Sequence, residues 1–314
     1  MRVLVTGADG FVGRRLVRAL ADRGHAVTAA CRPGWAPAAE WLGADAGRVR
    51  VVPLELADPE SVGAAVTDGA DAVAHLAAVS STSDARRDPG RAWQVNAVGT
   101  ALLVDALAER PHPERTRVLL ASSAEVYGIG SAARRVETDP VQPVSVYAAS
   151  KAGAETAALA AWRRSGLGVI IARAFPHTGA GQPPPFVVPS FVARIKAARR
   201  SGAKTVPTGN LDPVRDLLDV RDVVGAYLAL LDAGAPGEIY NVARGEGVAI
   251  RELLTRIARL LHADIEPVPD PVLTRNRDVP YLVGDPTKIE RATGWRPTIT
   301  LDETLRGVVD AEAD

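Results

Sequence analysis

The chain has 314 residues, enough for one large core or two modest domains, and its 47% apolar and 24% charged residues are ordinary usage for a soluble globular chain. Its 37 basic side chains balance 37 acidic ones, which argues against nucleic-acid or membrane-surface binding by bulk electrostatics. One cysteine, Cys31, excludes an internal disulfide and a metal site built from several thiolates, and no apolar run approaches the roughly 18 residues of a membrane span. The sequence opens on the strand-like Arg2-Val3-Leu4-Val5-Thr6 without a charged and then apolar leader, so a cytoplasmic setting is expected.

Strands are expected at Val3–Thr6, Ala26–Cys31, Val49–Leu54, Ala72–Leu76, Val118–Ser122 and Val169–Ala174. Their apolar content is nearly continuous, as in strands covered on both faces. Between them lie helical patterns at Phe11–Arg23, Ser61–Val66, Arg91–Glu109 and Tyr147–Ser165. Strands alternating with helices imply βαβ units and a parallel, doubly wound α/β sheet of Rossmann type. After about residue 175 a breaker-rich loop, Gly179 to Pro185, interrupts this rhythm. Helices at Val187–Arg200, Val220–Leu231 and Ile250–Leu261 follow, with a strand at Glu238–Val242 and short helices at Thr287–Thr293 and Leu301–Asp310. Residues 1–175 are thus expected to form a dinucleotide-binding domain, and 176–314 mainly a smaller α/β substrate-binding cap, some of whose segments return to the first domain.

Thr6-Gly7-Ala8-Asp9-Gly10-Phe11-Val12-Gly13 links the first strand to the first helix. Gly7 permits the sharp turn, Gly10 lets the backbone approach a pyrophosphate, and Gly13 permits close helix–strand packing. The phosphates then sit at the helix N-terminus, where amide N–H groups and the dipole favour an anion. The second strand ends at Cys31 and Arg32 rather than at the carboxylate that reads a free ribose in NAD sites. Arg32 can pair with a 2′-phosphate, so NADP(H) is favoured, with NAD(H) as the alternative. Cys31 itself reads as packing.

Tyr147-Ala148-Ala149-Ser150-Lys151 opens a helix, and a spacing of four puts Tyr147 and Lys151 on one face. Upstream, Ser122-Ser123-Ala124-Glu125-Val126-Tyr127-Gly128 lies at the carboxyl end of a strand, where side chains face the ligand crevice. Together these suggest a tyrosine exchanging a proton, a lysine tuning it and a serine orienting a carbonyl. A free phenol has a pKa of about 10. A nearby ammonium and an oxidised nicotinamide both favour the phenolate and are expected to lower it.

With these motifs the chain resembles the extended short-chain dehydrogenases/reductases that modify nucleotide sugars. The resemblance spans essentially the whole length, through Gly7/Gly10/Gly13, His75-Leu76-Ala77-Ala78, Asn96 in Asn-Ala-Val-Gly-Thr, the Ser122–Gly128 segment and Tyr147/Lys151. It implies Ser123 as the catalytic serine. It also implies cofactor contacts from Phe11, Val12, Glu55, Leu56, Leu76, Ala77, Ala78 and Asn96, besides the glycines, Arg32, Tyr147 and Lys151. His75 reads as a buried structural histidine.

The second half narrows the substrate. Gly209-Asn210-Leu211-Asp212-Pro213-Val214-Arg215-Asp216 and the Arg173–Gln182 loop resemble segments of enzymes acting on GDP-mannose derivatives. Arg215 and Arg277, with Arg275 as an alternative to the latter, are candidates for a sugar diphosphate, because a guanidinium fork matches phosphate oxygens. The resemblance adds Ser81, Glu125, His177, Val187 and Asn210 as substrate contacts. One departure is Pro176, which stands where the family has an asparagine before His177; it offers neither a side-chain amide nor an N–H.

The expected reaction is NADPH-dependent reduction of the C4 ketone of a nucleotide-linked 4-keto-6-deoxyhexose, most simply GDP-4-keto-6-deoxy-D-mannose. The alternatives are a GDP-mannose 4,6-dehydratase, using Glu125 as an added acid/base, a 4-epimerase, or a dTDP-hexose 4-ketoreductase. Against the dehydratase, Ala124 supplies no second acid. A dinucleotide sensor without turnover is the alternative from another class, and the intact Ser123, Tyr147 and Lys151 argue against it. Small residues along Arg91–Glu109 and Ala148–Trp162 suit packing on their own sheet or close packing at a two-fold interface, and the resemblance implies a homodimer. No metal is expected.

Overall fold

Short runs of small aliphatic residues bury both faces of a strand without crowding the next layer, and they build the central sheet here. The structure is a computed structural model that describes residues 1–35, 41, 47–67, 69–130, 132–184, 186–273 and 278–311. Strands β1 (Arg2–Thr6), β2 (Ala26–Cys31), β3 (Val49–Pro53), β4 (Ala72–His75), β5 (Arg117–Ser123) and β6 (Gly168–Ala174) follow the expected positions to within one or two residues. After them come β7 (His177–Thr178), β8 (Thr205–Thr208), β9 (Val214–Asp216), β10 (Leu218–Asp219) and β11 (Ile239–Val242). Seven strands form one parallel sheet in the order β11-β6-β5-β4-β1-β2-β3. The order reverses between β1 and β4, and a crevice opens there beyond the carboxyl ends of the strands.

Helices α1 (Phe11–Asp22), α2 (Pro59–Val66), α3 (Thr82–Arg87), α4 (Pro89–Trp93), α5 (Gly99–Ala108) and α6 (Val146–Ser165) accompany the first six strands. Asp58 caps α2 through the Glu60 amide at 3.0 Å, and Pro59 stands at its first position. That signal starts the helix two residues before the expected Ser61. The expected single helix Arg91–Glu109 is instead α4, a wide π turn at Gln94–Val98, and α5. Asn96 lies in that turn, and its buried carboxamide bonds Val79 and Ser150.

The later segments divide between two cores. Helix α8 (Val220–Ala233) packs on α1, and β11 extends the main sheet; the expected strand at Glu238–Val242 is therefore part of the first sheet. A separate cluster joins α7 (Val187–Ser201), α9 (Ile250–Leu260) and α11 (Leu301–Ala311) around Phe191, Ile195, Leu253, Ile257 and Leu305. Between α9 and α11, the short α10 (Thr287–Thr293) rests on α8. Among the described residues, no helix is long and apolar enough to cross a membrane.

Candidate active site

A cleft of about 1200 Å³ runs from the β1–α1 turn, past the ends of β4 and β5, to the segment before β9. At one end, a Cβ on Gly7 would lie 2.7 Å from the Ala77 amide nitrogen, and one on Gly13 would lie 2.1 Å from the Gly7 carbonyl oxygen. Neither neighbour is a flexible side chain, so only glycine fits. Gly7 also has φ +66°. Gly10 caps α1 without a side-chain acceptor, which leaves first-turn N–H groups open to an anion. Phe11 and Val12 line the cleft beside them. This steric cradle and its amides fit a dinucleotide pyrophosphate.

Arg32 reaches the same end. Its Nε donates to Asp9 Oδ2 at 2.7 Å, the Asp9 carboxylate is almost buried, and the guanidinium is 76% exposed. Asp9 thus fixes the Arg32 guanidinium at this end of the cleft. It stands inside the glycine motif but 23 residues from Arg32, so only the fold brings the pair together. Cys31 beneath it is buried, and burial, with Asp9 adding, pushes its thiol up to about 12. This agrees with a packing role. Glu55, Leu56, Leu76, Ala77 and Ala78 also line the cleft.

Asn96 requires a correction. It is 1% exposed and does not line the cleft. Its Oδ1 accepts from the Val79 amide at 2.7 Å, while Nδ2 donates to Val79 O and to Ser150 Oγ. Its amide is spent on holding the strand end after β4 against α6. His75 is buried between Thr6 and Thr100, with ring-nitrogen distances of 2.7 and 3.0 Å, and burial, with Lys151 adding, lowers its pKa to about 3.

At the middle of the cleft, Ser123 ends β5 and Tyr147 and Lys151 begin α6. Ser145 caps this helix through the Ala148 amide at 3.1 Å, setting Tyr147 on its first turn. Ser123 Oγ accepts from the Glu125 amide at 3.2 Å and lies near enough to the Tyr147 phenol to act on its ionisation. Burial pushes that phenol up, the Glu125 carboxylate adds to the rise, and Ser123 opposes it. The expected lowering by Lys151 is corrected: burial sets the direction, and Lys151 is not among the groups that act on the phenol here. Burial lowers Lys151 to about 8, with Glu155 opposing. Glu125 lines the cleft, whereas Ala124 is fully buried and cannot. Tyr227 of α8 is a wall residue missed from sequence, where helical spacing marked it only as core. It is buried and close enough to Tyr147 to feel its charge.

The far end holds Ser81, His177, Val187, Asn210 and Arg215. Most of their polar groups already have partners. Ser81 caps α3 through the Asp84 amide at 3.0 Å, and His177 Nδ1 lies 3.0 Å from Phe175 O. Arg215 Nη2 donates to Asp278 Oδ1 at 2.7 Å, and Nη1 to Val279 O at 2.7 Å. Asp278, also missed, is a lining residue that competes with any anion for Arg215. Buried Asp216 accepts from the amides of Arg244, Gly245 and Gly284 and so anchors the strand that carries Arg215. Arg275 and Arg277 lie outside the described residues. Among those described, no three His, Cys, Asp or Glu residues are grouped to hold a metal ion.

A parallel sheet in this order, with a glycine turn at its switch point and Ser123, Tyr147 and Lys151 in one cleft, defines an extended short-chain dehydrogenase/reductase. Residues 4–308 match the family described as GDP-mannose 4,6 dehydratase, and the chain belongs to it. It is 35% identical to the GDP-6-deoxy-D-mannose reductase of Pseudomonas aeruginosa, over 98% of this chain and 96% of that protein. It is 32% identical to a dTDP-glucose 4,6-dehydratase of Streptomyces griseus, over 98% and 92%. The structure of RMD from Pseudomonas aeruginosa complexed with NADPH superposes with a TM-score of 0.82 at 34% identity, covering 99% of this chain and 98% of that one. UDP-glucose 4-epimerase from Thermotoga maritima superposes with a TM-score of 0.87 at 26% identity, over the same shares.

Proposed function

We propose that this protein is an NADPH-dependent reductase of the C4 ketone of a nucleotide-linked 4-keto-6-deoxyhexose, with GDP-4-keto-6-deoxy-D-mannose as substrate. The observation that carries the reading is the single cleft in which Ser123, Tyr147 and Lys151 meet beyond the glycine turn of β1. A protonated phenol is an acid, and carbonyl reduction consumes a proton at the carbonyl oxygen. The full-length likeness to a GDP-6-deoxy-D-mannose reductase supports the choice of sugar and nucleotide.

Bound NADPH supplies the hydride that goes to C4. Gly7, Gly10 and Gly13 admit its pyrophosphate, the α1 amides bind it, and Arg32 pairs with the 2′-phosphate. Ser123 donates a hydrogen bond to the substrate's C4 oxygen and orients it. Tyr147 gives its proton to that oxygen, which leaves a C4 hydroxyl. Lys151, as an ammonium, offsets the charge left on the phenolate. Arg215 binds the sugar diphosphate after exchanging Asp278 for phosphate oxygens. Residues 1–175, with α8, α10 and β11, form the dinucleotide half, and the cluster of α7, α9 and α11 forms the substrate cap. A homodimer through the α4–π turn–α5 stretch and α6, with Trp93 of α4 and Val98 of the π turn exposed, and a cytoplasmic location complete the reading.

Glu125 supports a second reading, a 4,6-dehydratase, because it places a carboxylate in the cleft beside Tyr147. The two readings part on product. Incubation with GDP-4-keto-6-deoxy-D-mannose and NADPH yields a GDP-6-deoxyhexose if the enzyme is a reductase. Incubation with GDP-mannose and NADP⁺ yields a 4-keto sugar if it is a dehydratase, and that result would replace the first reading.

A further inference from the structure

Helix α6 carries another buried acid, Glu155, one turn beyond Lys151 and 5% exposed. Its Oε1 accepts from Ser122 Oγ at 2.5 Å and Arg173 Nε at 3.0 Å, and its Oε2 accepts from Arg173 Nη2 at 2.7 Å. Arg173, on β6, is itself held: Nη1 donates to Glu137 O at 3.3 Å, and the guanidinium lies 4.7 Å from the Tyr127 ring centre. The Tyr127 hydroxyl donates to Asn241 Oδ1 on β11 at 2.6 Å. One carboxylate is therefore fastened to the residue beside Ser123 on β5 and, through Arg173, to β6 next to the edge of the sheet. An ion pair this deep costs both partners their hydration, so a role beyond adhesion is worth seeking.

The charged and titratable groups around Lys151 are few. Its own helix presents Glu155 on the same face at i, i+4. Strand β4 presents His75, which is neutral and bonded on both ring nitrogens. Strand β6 presents Arg173, behind Glu155. The turn after β5 presents Glu125, which acts on Tyr147. On the helices packed outside, Arg87 and Arg91 are exposed, Asp84 pairs with Arg87, Asp88 caps α4, and Asp105 forms an exposed pair with Arg164.

We propose that Glu155 is a positioning residue that keeps Lys151 charged and aligned with Tyr147, and that Ser122 and Arg173 hold Glu155 in place for that task. The proposal rests on the reading of Tyr147 and Lys151 given above. It accounts for a carboxylate clamped by four hydrogen bonds, from Ser122 and Arg173, on the helix that carries the buried ammonium. Burial drives the ammonium toward its neutral form, and Glu155 is the group that opposes this. Without Glu155, Lys151 loses its proton at lower pH, and the alkaline limit of turnover moves down with it.

The chain has four lysines, at 151, 196, 204 and 288. Lysine labelled with ¹³C at Cε therefore gives four signals, and Lys151→Arg identifies the relevant one. Glu155→Gln is expected to lower the Lys151 titration midpoint by roughly one pH unit, as for loss of a close opposite charge. Glu155→Asp restores most of it, and Ser122→Ala leaves it within a few tenths. The alkaline limb of kcat moves by the same amount as the midpoint. Because Glu155→Gln strips Arg173 of its counter-ion, the double variant Glu155→Gln/Arg173→Met, which removes both charges, is measured beside it, with a smaller downward shift expected. An unmoved or raised midpoint in either folded variant overturns the proposal. The titration is read without substrate, so failure to reduce a particular sugar leaves this result standing. An unmoved lysine in an active reductase removes only this inference.

Discussion

The two ends of the cleft, read as dinucleotide and substrate sites, are built by different means. The dinucleotide end is built from absent side chains and open amides: Gly7 and Gly13 admit no Cβ, and α1 begins without a capping side chain. The substrate end is built from side chains that already have partners, with Arg215 on Asp278 and Ser81 on its own helix. The first end is steric and ready-made. The second works by exchange, because a ligand there must displace an existing contact before it gains one.

That contrast can be broken at several points. The largest effect is expected at the steric end. Gly13→Val places a Cβ within 2.1 Å of backbone oxygen, which cannot swing aside, and should weaken NADPH binding by roughly 100-fold, the upper end of an overpacking cost. Fluorescence titration of NADPH checks this, and near-normal binding would show that the turn is not the cradle. Arg32→Ala should be milder, raising the Kd for NADPH roughly 10-fold while leaving that for NADH nearly unchanged, since one exposed charge-assisted contact is lost. Equal weakening of both would remove Arg32 from the 2′-phosphate.

At the exchanging end, the two members of one ion pair should act in opposite directions. Arg215→Ala should raise the substrate KM about fivefold with kcat little changed. Asp278→Asn should lower KM by a smaller factor, because it frees the guanidinium. If both variants raise KM alike, Asp278 is a substrate contact rather than a competitor. A further effect is on stability, away from both ends of the cleft. His75 stays neutral in the fold down to about pH 3, whereas the unfolded chain protonates it near 6.5. Between those values the unfolded state holds the extra proton, so stability is lost as pH falls through this window, by roughly 1.4 kcal/mol per unit. His75→Gln should flatten that part of the urea-midpoint profile, and an unchanged slope would show that His75 does not set it.

The contrast also explains what the amino-acid sequence made legible. The six strands of the first half, the glycine turn and the Tyr147–Lys151 pair follow from constraints local to a few residues: continuous apolarity, loss of Cβ, a spacing of four; Ser123 came from the family resemblance. The π turn at Gln94–Val98 was not legible, because it depends on Asn96 reaching Val79, 17 residues away in sequence. Strands of two to four residues, such as β7, β8, β9 and β10, are too short for a period to show. Asp278 against Arg215 and Glu155 against Arg173 are tertiary pairings that no window of sequence reveals. The phenol of Tyr147 was misjudged for the same reason, since its burial and its exposure to Glu125 come from the packing of α6 on the end of β5.

The central claim is that Tyr147 protonates a sugar ketone as NADPH reduces it. The most direct test is a single-turnover experiment that follows absorbance at the NADPH band with enzyme, NADPH and GDP-4-keto-6-deoxy-D-mannose. The account predicts loss of one NADPH per sugar, formation of a GDP-6-deoxyhexose, and a rate about 10²–10⁴ lower in Tyr147→Phe, with NADPH binding retained. No NADPH consumption, or consumption at an undiminished rate in Tyr147→Phe, would contradict it.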